Sequence, residues 1–301
     1  MKGVLLVNLG TPSAPTPEAV RSYLAEFLSD PRVVKLPRLL WRPILHGVVL
    51  RTRPARSAAK YAMIWSAEGS PLAVHTRKQA ELLRAALPDS KVEYAMRYGE
   101  PRIGAALDRL SGCDITVVPL YPQYSESTTQ SVADVLPRGV RMVRDFHDHP
   151  GYIEALASLV RRHWQKNGRG RMLVMSFHGL PRRGAEVYEA QCRATASLVA
   201  SALSMAKSEW QVTFQSRFGY AKWLQPYTEP TLIELARRGT ARVDVLCPGF
   251  VCDCLETLEE IGITARERFV EAGGREFYLL SCLNESPDWI AALATIARGK
   301  A

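Results

Sequence analysis

The sequence predicts an α/β protein with two similar domains, each built on a parallel sheet. Its 301 residues suffice for two hydrophobic cores at about 150 residues per domain. Apolar residues make up 47% and charged residues 23%, a globular composition that excludes a disordered chain. Besides length and composition, two observations predict this fold: strand and helix patterns alternate along the chain, and motifs at the ends of strands are repeated.

Short runs rich in Val, Leu, Ile and Met predict buried strands, because strands covered on both faces are apolar throughout. These runs cover residues 2–9, 91–98, 114–121, 171–178, 210–218, 242–247 and 276–282. Amphipathic stretches between them predict helices at 17–28, 72–86, 126–136, 151–165, 186–206 and 254–271. Strands that alternate with helices favour parallel sheets.

Three pairs of strand-end motifs recur in the same order along the chain. The pairs are LGTP at 9–12 with HGLP at 178–181, RYG at 97–99 with RFG at 217–219, and PLY at 119–121 with PGF at 248–250. The repeat predicts an N-terminal α/β domain over 1–150 and a C-terminal one over 151–301. Because ligands bind beyond the carboxyl ends of parallel strands, we expect an active-site cleft between the two domains.

The N-terminal domain carries an insertion at about 36–70, between its first two matched motifs. Residues 36–54 read LPRLLWRPILHGVVLRTRP, an apolar segment interspersed with arginines. One interpretation is an apolar lip that contacts the inner face of a membrane, because arginines can reach water or anionic headgroups. The other is an ordinary helix packed on the domain edge.

Charge, cysteine content and the N-terminus limit the compartment and the partners. The net charge of +9 favours anionic partners, but no basic run or binding motif predicts a nucleic acid. The N-terminal apolar run is too short for a signal peptide, and no window reaches the roughly 18 apolar residues of a spanning helix. Six cysteines are too few for a disulfide scaffold. We therefore expect a cytoplasmic protein.

Two strand-end residues of the C-terminal half are candidates for chemistry. His178 ends a predicted strand, and Glu256 lies near the start of a predicted helix after another strand. Glu260 follows four residues later, and like charges on one helical face make sense if a cation passes along it. An imidazole with carboxylates suits ferrous iron. Alternatively, His178 is structural and Glu256 caps its helix.

Aromatic, basic and sulfur-containing residues gather near the same strand ends. Tyr98, Tyr121, Tyr124, Trp223 and Trp65 suit a large flat aromatic ligand, and Arg53 and Arg97 could pair with ligand carboxylates. The cysteines of this half leave two alternatives open, an iron–sulfur or zinc site or small buried side chains. The residues concerned are Cys247, Cys252, Cys254 and Cys282.

Seven strings spread over nearly the whole chain carry a family resemblance: LLVNLGTPSAPT at 5–16, FLSDPRVV at 27–34, MRYGEP at 96–101, PLYPQYSESTT at 119–129, SFHGLP at 176–181, TFQSRFG at 213–219 and CPGFVCDCLETLEEI at 247–261. Through these strings the chain resembles the ferrochelatases, which insert ferrous iron into a porphyrin. The resemblance implies two Rossmann-like domains of the class II chelatase type, with porphyrin in the cleft. It further implies that His178 and Glu256 are catalytic and contact the metal. The porphyrin contacts that it implies are Arg53, Tyr61, Ser70, Arg97, Tyr98, Tyr121 and Trp223.

This resemblance implies formation of protohaem from protoporphyrin IX, with His178 accepting pyrrole protons and Glu256 assisting proton or metal transfer. Leu9 replaces a tyrosine of coproporphyrin-using relatives, and Thr264 replaces an acidic residue of an outer iron site. Iron is a substrate, and no cofactor is expected. The iron–sulfur cluster that some relatives carry is not expected either, since Glu126 replaces one cluster cysteine and the chain ends at Ala301. We expect a monomer; the alternatives are a coproporphyrin or cobalt chelatase and a non-catalytic porphyrin or haem carrier.

Overall fold

The computed structural model describes residues 1–217, 219 and 221–299, so Phe218 of the predicted strand 210–218 lies outside the described residues. The chain divides into two compact units. The first comprises Met1–Asp145 with the segment from Ala294, and the second comprises Phe146–Leu293. Each unit holds a four-stranded parallel sheet with helices, which confirms the α/β class.

The first sheet has the strand order β2-β1-β3-β4. Its strands are β1 (Lys2–Gly10), β2 (Ser90–Tyr98), β3 (Asp114–Pro119) and β4 (Arg141–Met142). The central strand β1 is buried along almost its whole length, as expected for a strand covered on both faces. Leu5 and Val7 of β1 pack with Ala95 of β2 and Val117 of β3 in the core of this unit.

Helices of the first unit follow the strands, and several are short. They are α1 (Pro17–Phe27), α2 (Arg38–Ile44), a π-helical turn (Leu45–Val49), α3 (Leu50–Ile64), α4 (Pro71–Ala86), α5 (Ile103–Arg109), a second π-helical turn (Glu126–Gln130) and α6 (Ser131–Ala133). Helix α1 begins where Thr16 Oγ1 accepts a hydrogen bond from Ala19 N at 3.3 Å, with Pro17 in its first turn. The segment 36–54 is therefore helical over most of its length.

The second sheet has the order β6-β5-β7-β8 and so repeats the strand order of the first. Its strands are β5 (Met172–His178), β6 (Trp210–Gln215), β7 (Arg242–Leu246) and β8 (Glu276–Leu279). In each sheet, the first strand of the unit lies in the middle beside the second and the third. His178 at the end of β5 is in register with Gln215 at the end of β6.

The second unit has longer helices and an extended π-helix. Its helical segments are α7 (Pro150–Asn167), α8 (Glu186–Ala202), a 3₁₀ turn (Lys207–Glu209), α9 (Thr228–Arg237), the π-helix (Glu256–Ala265) and α10 (Arg266–Glu271), and α11 (Pro287–Ala297) is the last helix among the described residues. Ile261 of the π-helix and Phe269 of α10 pack on Val174 and Val245 of the sheet. Among the described residues, none of the helices combines the length and the apolarity needed to span a bilayer.

Candidate active site

His178 occupies the carboxyl end of the central strand of the second sheet. Gly179 N donates to Gln215 O at 2.8 Å, and Tyr188 OH donates to His178 O at 2.9 Å. A Cβ on Gly179 would lie 2.5 Å from Gln215 O and 3.2 Å from the Trp223 ring. Only glycine therefore allows the backbone at position 179 to approach Gln215 this closely, and this contact fixes the backbone next to His178.

The imidazole of His178 is partly buried and lies beside a carboxylate. Its ring meets Phe250 edge to face at a centroid distance of 6.4 Å. Desolvation lowers the pKa of His178 below its ordinary value of 6.5, and the negative charge of Glu256 partly opposes that shift. The structure therefore favours a neutral imidazole at neutral pH, which is the form that accepts a proton.

Glu256 is the first residue of the π-helix. Its carbonyl oxygen accepts a hydrogen bond from Gln215 Nε2 at 2.7 Å, and the buried thiol of Cys254 lies beside its side chain. Burial raises the pKa of that thiol well above its ordinary value, and the charge of Glu256 adds to the shift. The sequence-predicted pair His178 and Glu256 is thus brought together within the second unit.

Glu260 lies on the same side of the π-helix as the Glu256 carbonyl, since Gln215 Nε2 also donates to Glu260 Oε2 at 3.3 Å. Ser216 N donates to Glu260 Oε1 at 2.6 Å, and Ser216 Oγ donates to Oε2 at 2.5 Å. Three donors from the end of β6 thus meet one carboxylate. Neither Gln215 nor Ser216 stands out in the sequence, apart from lying within the TFQSRFG string.

The candidate cluster residues Cys247, Cys252, Cys254 and Cys282 are buried, and their thiols are not in disulfides. Burial raises the pKa values of Cys247 and Cys282, and the nearby carboxylate of Asp253 adds to both shifts. Asp253 itself accepts hydrogen bonds from Cys282 N at 3.1 Å and from Asn284 Nδ2 at 2.7 Å. This arrangement favours protonated thiols around a hydrogen-bonded acid. Among the described residues, these sulfurs form no group of three potential metal-ligand atoms within 4.8 Å of one another.

In the first unit, Arg97 and Tyr98 share a buried acid that the sequence did not single out. Arg97 Nη2 donates to Asp30 Oδ2 at 2.6 Å, and Tyr98 OH donates to the same oxygen at 2.8 Å. Ser131 Oγ is the third donor, at 2.7 Å. Burial tends to raise the pKa of Asp30, but hydrogen bonds from Ser131, Arg32 N and Tyr98, with the charge of Arg97, lower it overall.

This cluster gives Arg97 and Tyr98 different environments. The Tyr98 side chain is only 1% exposed, so it lies in the interior beneath Arg97, whose guanidinium lies 4.6 Å from the Tyr98 ring centroid. Burial raises the pKa of Tyr121 well above its ordinary value, and Tyr98 and Arg97 lie close enough to shift that pKa electrostatically. Its hydroxyl is enclosed and has no hydrogen-bond partner among the described residues. Arg97, Tyr98 and Tyr121 therefore form one group.

The other three predicted contacts of the first unit lie on α3 and at the start of α4. Arg53 is exposed on α3, whereas Tyr61, on the same helix, is buried and meets Trp65 edge to face at 6.1 Å. Ser70, just before α4, is buried and shares a hydrogen bond of 2.8 Å with Thr11 Oγ1 at the end of β1.

Trp223, in the second unit, lies next to the loop that follows His178. It forms an antiparallel bridge with Pro181, and Leu224 N donates to Leu180 O at 2.9 Å. The Trp223 indole nitrogen is enclosed and has no hydrogen-bond partner among the described residues. The second unit therefore places Trp223 beside the segment that follows His178, while Glu256 lies near His178 itself.

Comparison with known proteins identifies the family. The family model described as Ferrochelatase matches residues 1–301. A ferrochelatase of Aromatoleum aromaticum is 56% identical over 99% of this chain and 87% of its own length. A ferrochelatase of Bordetella pertussis is 53% identical over 98% of this chain and 86% of its own length.

Solved structures show the same fold at much lower identity. CbiX, titled the terminal enzyme for biosynthesis of siroheme in denitrifying bacteria, has a TM-score of 0.55 at 17% identity and covers 99% of both chains. SirB from Bacillus subtilis with Fe3+ has a TM-score of 0.58 at 13% identity, covering 99% of this chain and 95% of its own. These two structures support the fold, and the sequence relatives establish that the chain belongs to the ferrochelatase family.

Proposed function

We propose that this chain inserts ferrous iron into protoporphyrin IX and releases protohaem, with His178 accepting pyrrole protons and Glu256 assisting proton or metal transfer. Membership of the ferrochelatase family supports the reaction. The observation that carries the roles is the position of the His178 imidazole beside Glu256 at a strand end, where desolvation lowers the pKa of the imidazole. Iron is a substrate in this proposal, and the chain needs no cofactor of its own.

The reaction releases two protons, since each of two pyrrole N–H groups loses its hydrogen when the metal binds the four ring nitrogens. A neutral imidazole accepts one proton without first losing its own. The resulting imidazolium is stabilised by the carboxylate of Glu256, which can take the second proton or guide the cation. A site that holds the ring in a puckered state, with the nitrogen lone pairs exposed, would favour the transition state.

Porphyrin contacts are proposed at the residues that match the family. Arg53 and Arg97 would pair with propionates, with Asp30 fixing the direction of Arg97. Tyr121 and Trp223 would present aromatic surface to the macrocycle. The remaining proposed contacts are Tyr61, Ser70 and Tyr98, of which Tyr98 acts through Arg97. Leu9, in place of tyrosine, supports protoporphyrin rather than coproporphyrin as the substrate.

The segment 36–54 is proposed to contact the anionic inner face of a membrane while the chain remains monomeric and cytoplasmic. Several of its large apolar side chains are exposed, with Leu39 at 89% and Leu40 at 64%, whereas Leu45 and Leu50 are buried. Arginines lie beside them on α2 and α3, where they can meet lipid headgroups. Apolar surface flanked by arginines matches an interfacial helix better than a protein-packed one.

Flotation with vesicles that contain anionic lipid tests this contact. The double variant Leu39→Ser and Leu40→Ser should lose flotation, whereas Val187→Ser, an exposed apolar residue of α8, should not. Equal flotation of the wild type and the double variant would remove the membrane contact from the proposal. Analytical ultracentrifugation of the same samples checks the expected monomer.

Metal insertion tests the reaction itself. Purified iron-free protein is mixed anaerobically with ferrous iron and protoporphyrin IX, with coproporphyrin III run beside it, and the visible spectrum is followed. We expect free-base bands to convert to metalloporphyrin bands, faster with protoporphyrin, and His178→Ala to abolish conversion. His75→Ala, a histidine of α4, is the matched control and should convert normally. A red-shifted bound porphyrin without insertion in the wild type would instead support a carrier.

A further inference from the structure

Gln215 connects the strand that carries His178 to the helix that carries Glu256. Its side chain is almost fully buried at the end of β6, in register with His178. Its Oε1 accepts a hydrogen bond from Ser176 Oγ of β5 at 2.7 Å, and its Nε2 donates to Glu256 O at 2.7 Å. A carbonyl oxygen can only accept, so the Glu256 carbonyl fixes which end of the amide faces the π-helix.

Ser216 adds a second attachment at the same place. Its backbone has a φ of +64°, a left-handed conformation that a residue with a side chain keeps only where its surroundings fix it. In this conformation both its N–H and its hydroxyl donate to the Glu260 carboxylate, at 2.6 and 2.5 Å. The strained residue thus presents two donors to one acid of the π-helix.

We propose that Gln215, supported by Ser216, is a positioning residue for metal insertion, holding the first turn of the π-helix so that Glu256 faces His178. This inference rests on the proposed function. Gln215 donates a hydrogen bond to the backbone carbonyl of Glu256, and Gln215 and Ser216 both donate to the carboxylate of Glu260, one turn further along. In this role Glu260 is an anchor for the helix.

The geometry explains why this turn needs an attachment. Hydrogen-bond geometry in a π-helix is uncommon, and such segments occur mostly as short insertions at functional sites. Here the π-helix runs for ten residues and begins at Glu256 itself. The Gln215 donor to the Glu256 carbonyl and the two Ser216 donors to the Glu260 carboxylate therefore fix the backbone from which the Glu256 side chain extends. Misplacing a reacting group by about 1 Å costs about 100-fold in rate.

Gln215→Glu tests the proposal because the new carboxyl keeps the shape and the acceptor for Ser176. At neutral pH it loses the donor to the Glu256 carbonyl and places a negative charge beside Glu260. We expect kcat for metal insertion to fall about 10- to 100-fold, with porphyrin affinity, measured by fluorescence quenching, changed less than about twofold. Gln211→Glu, on the same strand and half-buried, is the matched control and should keep kcat.

The pH profile separates positioning from a general loss of structure. Burial and the Glu260 charge raise the pKa of a carboxyl placed at position 215, and its protonated form can donate again. The ratio of variant kcat to wild-type kcat should therefore rise as the pH falls from about 8 to about 6. A variant that was merely unfolded would show no such recovery.

Ser216→Ala provides a second variant in case the first does not fold. It removes the hydroxyl donor but keeps the N–H, so a smaller fall in kcat is expected, about three- to tenfold, again with unchanged porphyrin affinity. If the wild type inserts metal and both variants keep kcat within about twofold, the positioning role is overturned. If the wild type itself inserts no metal, the proposed function fails first, and the inference fails with it.

Discussion

Replacing Asp30 by asparagine removes the charge on which four donors of the first unit converge. The new amide oxygen could still accept from Arg32 N, which donates to Asp30 Oδ1 at 2.7 Å, but the new NH₂ group would face the guanidinium of Arg97. The Arg97 side chain is only 16% exposed, so water replaces the lost partner poorly. Removing one partner of such a buried ion pair costs about 3 kcal/mol, allowing for the hydrogen bonds that Arg97 keeps to Ser131.

Thermal unfolding followed by circular dichroism at pH 7 measures this cost. A loss of about 3 kcal/mol corresponds to a fall in Tm of about 6–12 °C for a unit of this size. The double variant Asp30→Asn with Arg97→Met should be more stable than Asp30→Asn alone, because it contains no unpaired buried charge. A loss below about 1 kcal/mol, or strictly additive effects in the double variant, would refute the reasoning.

The same acid predicts a pH dependence of stability. The pKa of Asp30 is lower in the folded protein than its ordinary value, so its contribution is complete above that value. The contribution is lost as the pH falls below about 4, toward the folded pKa. The stability difference between the wild type and Asp30→Asn should therefore shrink in that range, and a constant difference would contradict the assignment.

Two further predictions concern backbone space and thiol reactivity. Gly10→Ala should lower the free energy of unfolding by more than about 2 kcal/mol, since the φ of Gly10 is +112° and a Cβ would lie 1.8 Å from Tyr98 O. Gly112→Ala, where φ is +79° and the space is open, should lower it by only about 1 kcal/mol. Equal losses in the two variants would contradict this prediction. Cys247 and Cys282 should react with maleimide at neutral pH only on unfolding, because burial raises their pKa values; fast labelling of the native protein, seen by mass spectrometry, would show otherwise.

The strands were predictable because buried parallel strands carry continuous apolar runs. The run 2–9 became β1 (Lys2–Gly10), and the run 171–178 became β5 (Met172–His178). The two-residue strand β4 was missed, since two residues carry no periodic pattern. The predicted helix 254–271 is continuous in space but π-helical over its first part, and side-chain periodicity does not report that hydrogen-bond pattern.

The proximity of His178 and Glu256 was predictable, because both were expected beyond the carboxyl ends of strands in the same sheet. Asp30 and Gln215 were missed because their partners are far away in the sequence. Asp30 meets Ser131, 101 residues later, and Gln215 meets Ser176, 39 residues earlier. Such contacts depend on how elements that are distant in the chain pack against one another, which no local pattern encodes.

The pH dependence of kcat/KM for insertion of ferrous iron into protoporphyrin IX tests the central claim most directly. In the free enzyme, burial lowers the pKa of His178, so the neutral base persists as the pH falls below 6.5. The account predicts an acid limb with a midpoint below 6.5 in the wild type and no measurable insertion by His178→Ala. An acid limb at or above that value, or insertion retained in the variant, would contradict the assignment of His178 as the base.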